Sequence, residues 1–187
     1  MSDQIIVPLQ GFFVNCSYWI DQAKLQEIAD SVSLPLVPYR KHRGNWPASY
    51  MGDGKFWQHI AGSFNDWLDG RQCFLLGHSD GASFAARLAM TLPGSVCGIC
   101  WYAGTKRSFG RRESEPAGWP PALFMVNSGD RTPAGGDDTP VVYEQWQGQK
   151  SLHVFDIGKG DSLIDSHKWK PELANLLCIE FIKDNLK

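Results

Sequence analysis

Apolar residues along this chain come in two textures: short continuous runs, and longer stretches in which they recur every three or four positions. Residues 5–9 form the first run and predict a strand. Leu25, Ile28, Ala29 and Val32 follow the i, i+3, i+4, i+7 spacing of one buried helical face, so 18–32 predicts a helix. Residues 34–39 predict a second strand, which Pro35 and Pro38 place towards an edge. Phe56, Trp57, Ile60, Ala61, Phe64, Trp67 and Leu68 form a wide helical stripe, closed by Asp69-Gly70-Arg71. The run 73–76 suits a buried parallel strand. Residues 82–92 are apolar nearly all round, with Arg87 the only charge, and predict a helix pressed against a sheet and stopped by Pro93-Gly94. Further strands follow at 96–103, 121–126 and 151–157, with a helix at 139–146 opened by Thr139-Pro140. A closing helix over 171–186 has Leu173, Leu177 and Phe181 on one line. Six strands alternating with helices or long loops predict an α/β fold: a three-layer sandwich around a mainly parallel six-stranded sheet. No repeat or linker divides the chain, which reads as one domain over 1–187.

The chemistry gathers where the strand at 73–76 breaks into the helix that follows. Gly77-His78-Ser79-Asp80-Gly81 folds a strand into a helix within a few residues, and such a turn crowds the backbone around its central residue. Glycines two positions either side relieve the crowding, and Ala82 keeps helix and strand close. This is the Gly-x-Ser-x-Gly nucleophile elbow, and here the chain resembles the α/β-hydrolase family. In that family the elbow holds the serine hydroxyl out at the C-terminal edge of the sheet. The resemblance makes Ser79 the nucleophile and the amide of Asp80 one donor to the oxyanion.

Two more segments carry the likeness. The first strand ends at Gln10-Gly11-Phe12-Phe13, where the family commonly has His-Gly, and the amide after the glycine completes the oxyanion hole. Phe12 is the expected second donor, with Phe13 as the alternative; Asn15 and Trp19 match residues that follow this loop in small esterases and thioesterases. After the strand at 121–126, Asp130 stands where the family's acid lies, although Asn127 replaces the usual glycine and Pro133 comes one residue early. Asp137 and Asp138 compete for the role. Near the end, His167-Lys168-Trp169 resembles the Gly-His-x-Trp ending of small hydrolases of the dienelactone-hydrolase and esterase kind, with Ser166 in place of the glycine. The likeness implies a reduced α/β-hydrolase fold lacking its first two strands, of the size of cutinase-like members. The polar connection 104–121 leaves room only for a minimal lid over an open site.

The residue types support the same chemistry. A serine hydroxyl needs a base to take its proton as it attacks. His167 lies on the loop after the last strand, on the same sheet edge as Ser79, and Asp130 comes from the adjacent strand end. The order Ser79, Asp130, His167 is the α/β-hydrolase order. Other histidines fail on position: His42 precedes the elbow, His59 and His153 lie within a helix and a strand, and His78 points away as the sequence neighbour of Ser79. The expected function is therefore a serine hydrolase cleaving carboxylic esters through an acyl-enzyme. Aromatic-rich loops favour short acyl or aryl esters, with Phe13, Trp46 and Trp169 as substrate contacts. A thioesterase of the same fold, or a noncatalytic binding protein built on it, is the alternative.

Composition narrows the partners. Net charge is −2, from 18 basic and 20 acidic residues, so nothing favours a nucleic acid; even the run Arg40-Lys41-His42-Arg43 reads as a solvated loop. There is neither a basic, apolar leader at the start nor a run of the roughly 20 apolar residues that a membrane span needs, and a cytoplasmic protein is expected. Five cysteines are scattered in apolar runs, and Cys97-Gly-Ile-Cys100 lacks the second pair of a zinc site, so they read as structural thiols. No His-carboxylate cluster has ligand spacing, and no glycine-rich loop has phosphate-binding form. The expected partner is a small-molecule ester, with no metal and no cofactor.

Overall fold

The structure, a computed structural model, describes residues 3–11, 16–39, 54–106, 118–130, 132, 138–156 and 166–186. Its sheet contains β1 (Gln4–Leu9), β2 (Gln72–His78), β3 (Val96–Tyr102), β4 (Ala122–Asn127) and β5 (Lys150–Phe155). They lie side by side in chain order, and every neighbouring pair is parallel. Parallel neighbours require the chain to cross back over a face between strands. The helices lie along these crossings: α1 (Cys16–Gln22), α2 (Leu25–Val32), α3 (Gly54–Leu68), α4 (Asp80–Thr91) and α5 (Asp138–Gln145), with α6 (Pro171–Asn185) after the last strand.

Helices α3, α4 and α5 cover one face, around Phe64, Phe84, Trp101 and Phe124. On the other face α1, α2 and α6 pack around Leu25, Ile28, Phe74 and Tyr102. Every residue of β1, β3 and β4 is buried, as continuous apolar runs require when a parallel sheet is covered on both sides. Among the described residues, no helix is long and apolar enough to cross a membrane.

Two expectations are corrected. Among the described residues the sheet has five strands, because 34–39 reduces to a single parallel bridge between Ile6 and Leu36. Ile6 N–H donates to Pro35 O at 2.9 Å and Val37 N–H to Ile6 O at 2.8 Å, and there the ladder stops. Pro35 and Pro38 lack the N–H groups that a longer ladder would use. The helix expected over 18–32 is two helices, broken where Lys24 turns left-handed at φ 50°. Lysine is no helix breaker by type, so nothing in the spacing marks this corner. The buried face of α6 consists of Ala174, Asn175, Cys178 and Ile182, whereas Leu173 is half exposed. Asn175 draws that face inward: its Nδ2 donates to the carbonyls of Ala23 and Lys24, at 3.0 and 3.2 Å, tying α6 to the corner between α1 and α2.

The cysteines are free, and all but Cys16 are buried. Burial pushes the thiols of Cys73 and Cys100 well above the ordinary range, which keeps them protonated and inert.

Candidate active site

Strand β2 ends at His78, and α4 begins at Asp80, so Ser79 alone makes the turn, with φ 56° and ψ −122°. A side chain in that region is strained by about 1–3 kcal/mol. The glycines on either side are required by contact. A Cβ on Gly77 would lie 2.5 Å from Ala82 Cα, and one on Gly81 would lie 1.9 Å from the carbonyl oxygen of Leu9. Helix α4 therefore sits directly on β1 and β2, with its N-terminus and the Asp80 amide at the C-terminal edge of the sheet. The Ser79 amide donates to Tyr102 O at 2.9 Å, pinning the turn to β3.

Two expected results follow. Gly81→Ala should cost at least about 4 kcal/mol or prevent folding, because the clash is with backbone that no rotamer change relieves; an unaltered thermal midpoint would contradict this packing. Ser79→Gly should be about 1 kcal/mol more stable than Ser79→Ala, since only glycine accepts the φ of 56° without strain. Chemical denaturation of the two variants checks this.

The expected acid and base come from neighbouring segments. Strand β4 ends at Asn127, and a turn closed by Asp130 N–H donating to Asn127 O at 3.0 Å presents the Asp130 carboxylate. His167 Nδ1 lies 2.8 Å from Asp130 Oδ2. The other carboxylate oxygen, Oδ1, accepts from the Thr132 amide at 3.0 Å and the Thr132 hydroxyl at 2.8 Å. Thr132 Oγ1 is also 3.0 Å from His167 Nδ1. Burial of the Asp130 carboxyl pushes its pKa up, but the bonds from His167 and Thr132 outweigh burial and hold it below the ordinary range. The group is thus a carboxylate aimed at an imidazole. With Nδ1–H donated to it, the neutral ring keeps Nε2 as its basic nitrogen.

Ser79 and His167 line one cavity of about 410 Å³, together with Gly11, Tyr18, Trp19 and Trp169. Trp19 and Trp169 meet edge to face, with ring centroids 5.7 Å apart. A second cavity of about 280 Å³, between β5 and α6, opens at the opposite edge of the sheet.

Of the residues expected at the site, Ser79, Asp80, Asp130, His167 and Trp169 thus converge on one edge of the sheet. Phe12, Phe13, Trp46 and Asp137 lie outside the described residues. Asp138 is engaged elsewhere: one oxygen accepts from the Lys106 amide at 3.1 Å, and the other is 3.1 Å from Lys106 Nζ. His78, expected to point away from the chemistry, lines the same cavity and places Nε2 2.8 Å from the carbonyl oxygen of His167.

Esterase PE8, 17% identical, overlays with a TM-score of 0.73 across 99% of this chain and 94% of its own. Est1E from Butyrivibrio proteoclasticus, solved with ferulic acid bound, is 13% identical and overlays at 0.70, across 97% of this chain and 89% of its own. A Xanthomonas campestris pv. campestris protein described as a hydrolase of the alpha/beta superfamily is 13% identical, with a TM-score of 0.64, covering 97% of this chain and 98% of that one. This chain has the α/β-hydrolase fold. No protein-family model matches it, and no curated protein sequence does. Within the α/β-hydrolase fold, the Ser79 turn, the Asp130 turn and the His167 segment occupy the ends of β2 and β4 and the connection after β5, all on one edge.

Proposed function

We propose that the protein is a serine hydrolase of carboxylic esters, with Ser79 as nucleophile, His167 as base and Asp130 as the acid that orients it. The observation that carries this reading is the 2.8 Å contact between His167 Nδ1 and Asp130 Oδ2, with His167 lining a cavity that the strained Ser79 shares. Ser79 Oγ attacks the ester carbonyl while its proton passes to His167 Nε2. Asp130 stabilises the imidazolium that forms. The amide of Asp80 faces the developing oxyanion, and that of Phe12, or of Phe13 as the alternative, is the second donor. His167 then gives its proton to the departing alcohol, and a water activated by the same nitrogen releases the acid.

The cavity walls favour a small acyl or aryl group over a long chain. Trp19 and Trp169 are both buried and supply flat apolar surface beside Ser79. Est1E, with the same fold, holds an aromatic acid. A p-nitrophenyl ester series from acetate to long acyl chains, run beside the matching thioesters, tests the reading. Turnover should peak at short or aryl acyl groups, and a fluorophosphonate should add to one residue, Ser79, when the labelled protein is digested and weighed by mass spectrometry. Faster turnover of the thioesters would make the protein a thioesterase. Absence of both turnover and label in folded protein would leave a noncatalytic binding role.

A further inference from the structure

Three adjacent strands end in side chains that grip the main chain of the proposed base. Asn127, at the end of β4, donates Nδ2–H to the carbonyl of Ser166 and lies 3.5 Å from that of Lys168. Tyr102, at the end of β3, places Oη 2.9 Å from Asn127 Oδ1 and 3.0 Å from Lys168 O, so one hydroxyl hydrogen is shared between two acceptors. His78, at the end of β2, meets His167 O through Nε2 at 2.8 Å. A carbonyl only accepts, so that nitrogen carries a hydrogen. Three consecutive carbonyls, those of Ser166, His167 and Lys168, thus each face a side-chain donor.

We infer that Tyr102 and Asn127 are positioning residues for His167, fixing its main chain against the Ser79 elbow. This rests on the proposed roles of Ser79 and His167. Tyr102 reaches both partners, because its backbone carbonyl accepts from the Ser79 amide at 2.9 Å while its hydroxyl reaches the chain beyond His167. Asp130 and Thr132 orient only the Nδ1 side of the ring; they leave the height of the ring above Ser79 to the backbone. A displacement of about 1 Å there costs roughly a hundredfold in rate. Asn127 and Tyr102 are almost wholly buried, and a buried amide is costly unless its groups are bonded. Both ends of this amide are bonded. The α/β-hydrolase pattern has glycine at the positions of Asn127 and Ser166, and these two departures touch each other: a glycine at 127 has no group to offer the Ser166 carbonyl.

Tyr102→Phe and Asn127→Ala test this by two readouts. Tyr102→Phe keeps the ring, which packs 4.9 Å from Trp169 and 5.8 Å from His78, and loses only the hydroxyl. With p-nitrophenyl acetate, kcat should fall about tenfold in Tyr102→Phe and about a hundredfold in Asn127→Ala, with KM within about twofold of wild type. The ring ¹⁵N shifts of His167, taken with the ring neutral, should show the Nδ1–H tautomer in wild type and a mixture in both variants. Unchanged tautomer shifts in both variants overturn the inference whatever the rates do, and so does an active enzyme whose kcat is within about twofold of wild type in both. A wild-type protein without turnover or fluorophosphonate label would sink the proposed function, while the ¹⁵N shifts would still decide the positioning.

Discussion

Ser79→Ala is expected to lower kcat for p-nitrophenyl esters by about five orders of magnitude while the protein stays folded. Removing a nucleophile that works as one unit with its base costs about as much as removing the whole catalytic set, and what remains is binding and oxyanion stabilisation. Alanine keeps the Cβ, so the turn retains its strain, and the close packing against Gly11, where an added Cβ would lie 3.0 Å from that carbon, is undisturbed. The thermal midpoint should therefore hardly move. Stopped-time assays at high enzyme concentration, with circular dichroism on the same samples, make the comparison. Residual turnover within tenfold of wild type would show that another group attacks the ester.

Asp130→Asn is expected to cost about four orders of magnitude in kcat. An amide presents either an oxygen or an NH₂ to His167 Nδ1, and with Thr132 donating to Oδ1 the NH₂ would face the ring. It would then force the hydrogen onto Nε2, the nitrogen that accepts from Ser79 in the proposed mechanism. Asp138→Asn should leave kcat within about twofold, because its carboxylate serves Lys106. A second signature comes from acid titration. The Asp130 carboxyl is held below its ordinary range in the folded protein. In the window between its folded value and the unfolded value of about 3.9, the unfolded chain binds more protons, so wild-type stability falls as pH falls. The asparagine variant lacks that loss. The stability difference between the two should shift towards the variant as pH drops below about 5, measured by urea unfolding at each pH. A difference independent of pH would mean that the carboxyl is not held in its charged form.

The parts of the fold that could be read from the residues are those where burial or contact leaves a mark on residue type. Parallel strands covered on both faces appear as unbroken apolar runs, and the elbow is legible because only glycine fits at Gly77 and Gly81. Distances along the chain do not separate Asp130 from Asp138; the geometry does so by setting Lys106 against one and His167 against the other. The contacts that Thr132, Tyr102, Asn127 and His78 make at the site escaped notice for a shared reason. Except for the short reach of Thr132 to Asp130, their side-chain bonds at the site run to residues 25 to 89 positions away, so no spacing carries them. One of them carried a weak signal. Asn127 and Ser166 are departures from the α/β-hydrolase pattern, and they prove to be in contact. The corner at Lys24 and the inward face of Asn175 left no such trace, since a lysine in a left-handed turn and a buried asparagine look like ordinary surface residues.

The single bridge at Leu36 has a bearing on how the protein behaves at high concentration. An open flank of a parallel sheet is a template on which a second molecule can add a strand and begin an aggregate. Here the outward donor of Ile6 is already taken by the Pro35 carbonyl and its acceptor by the Val37 amide. The segment that takes them has prolines on both sides of the bridge, so it cannot pass a regular ladder on to a newcomer. The same residues that cost the sheet its sixth strand thus close that flank against intermolecular growth.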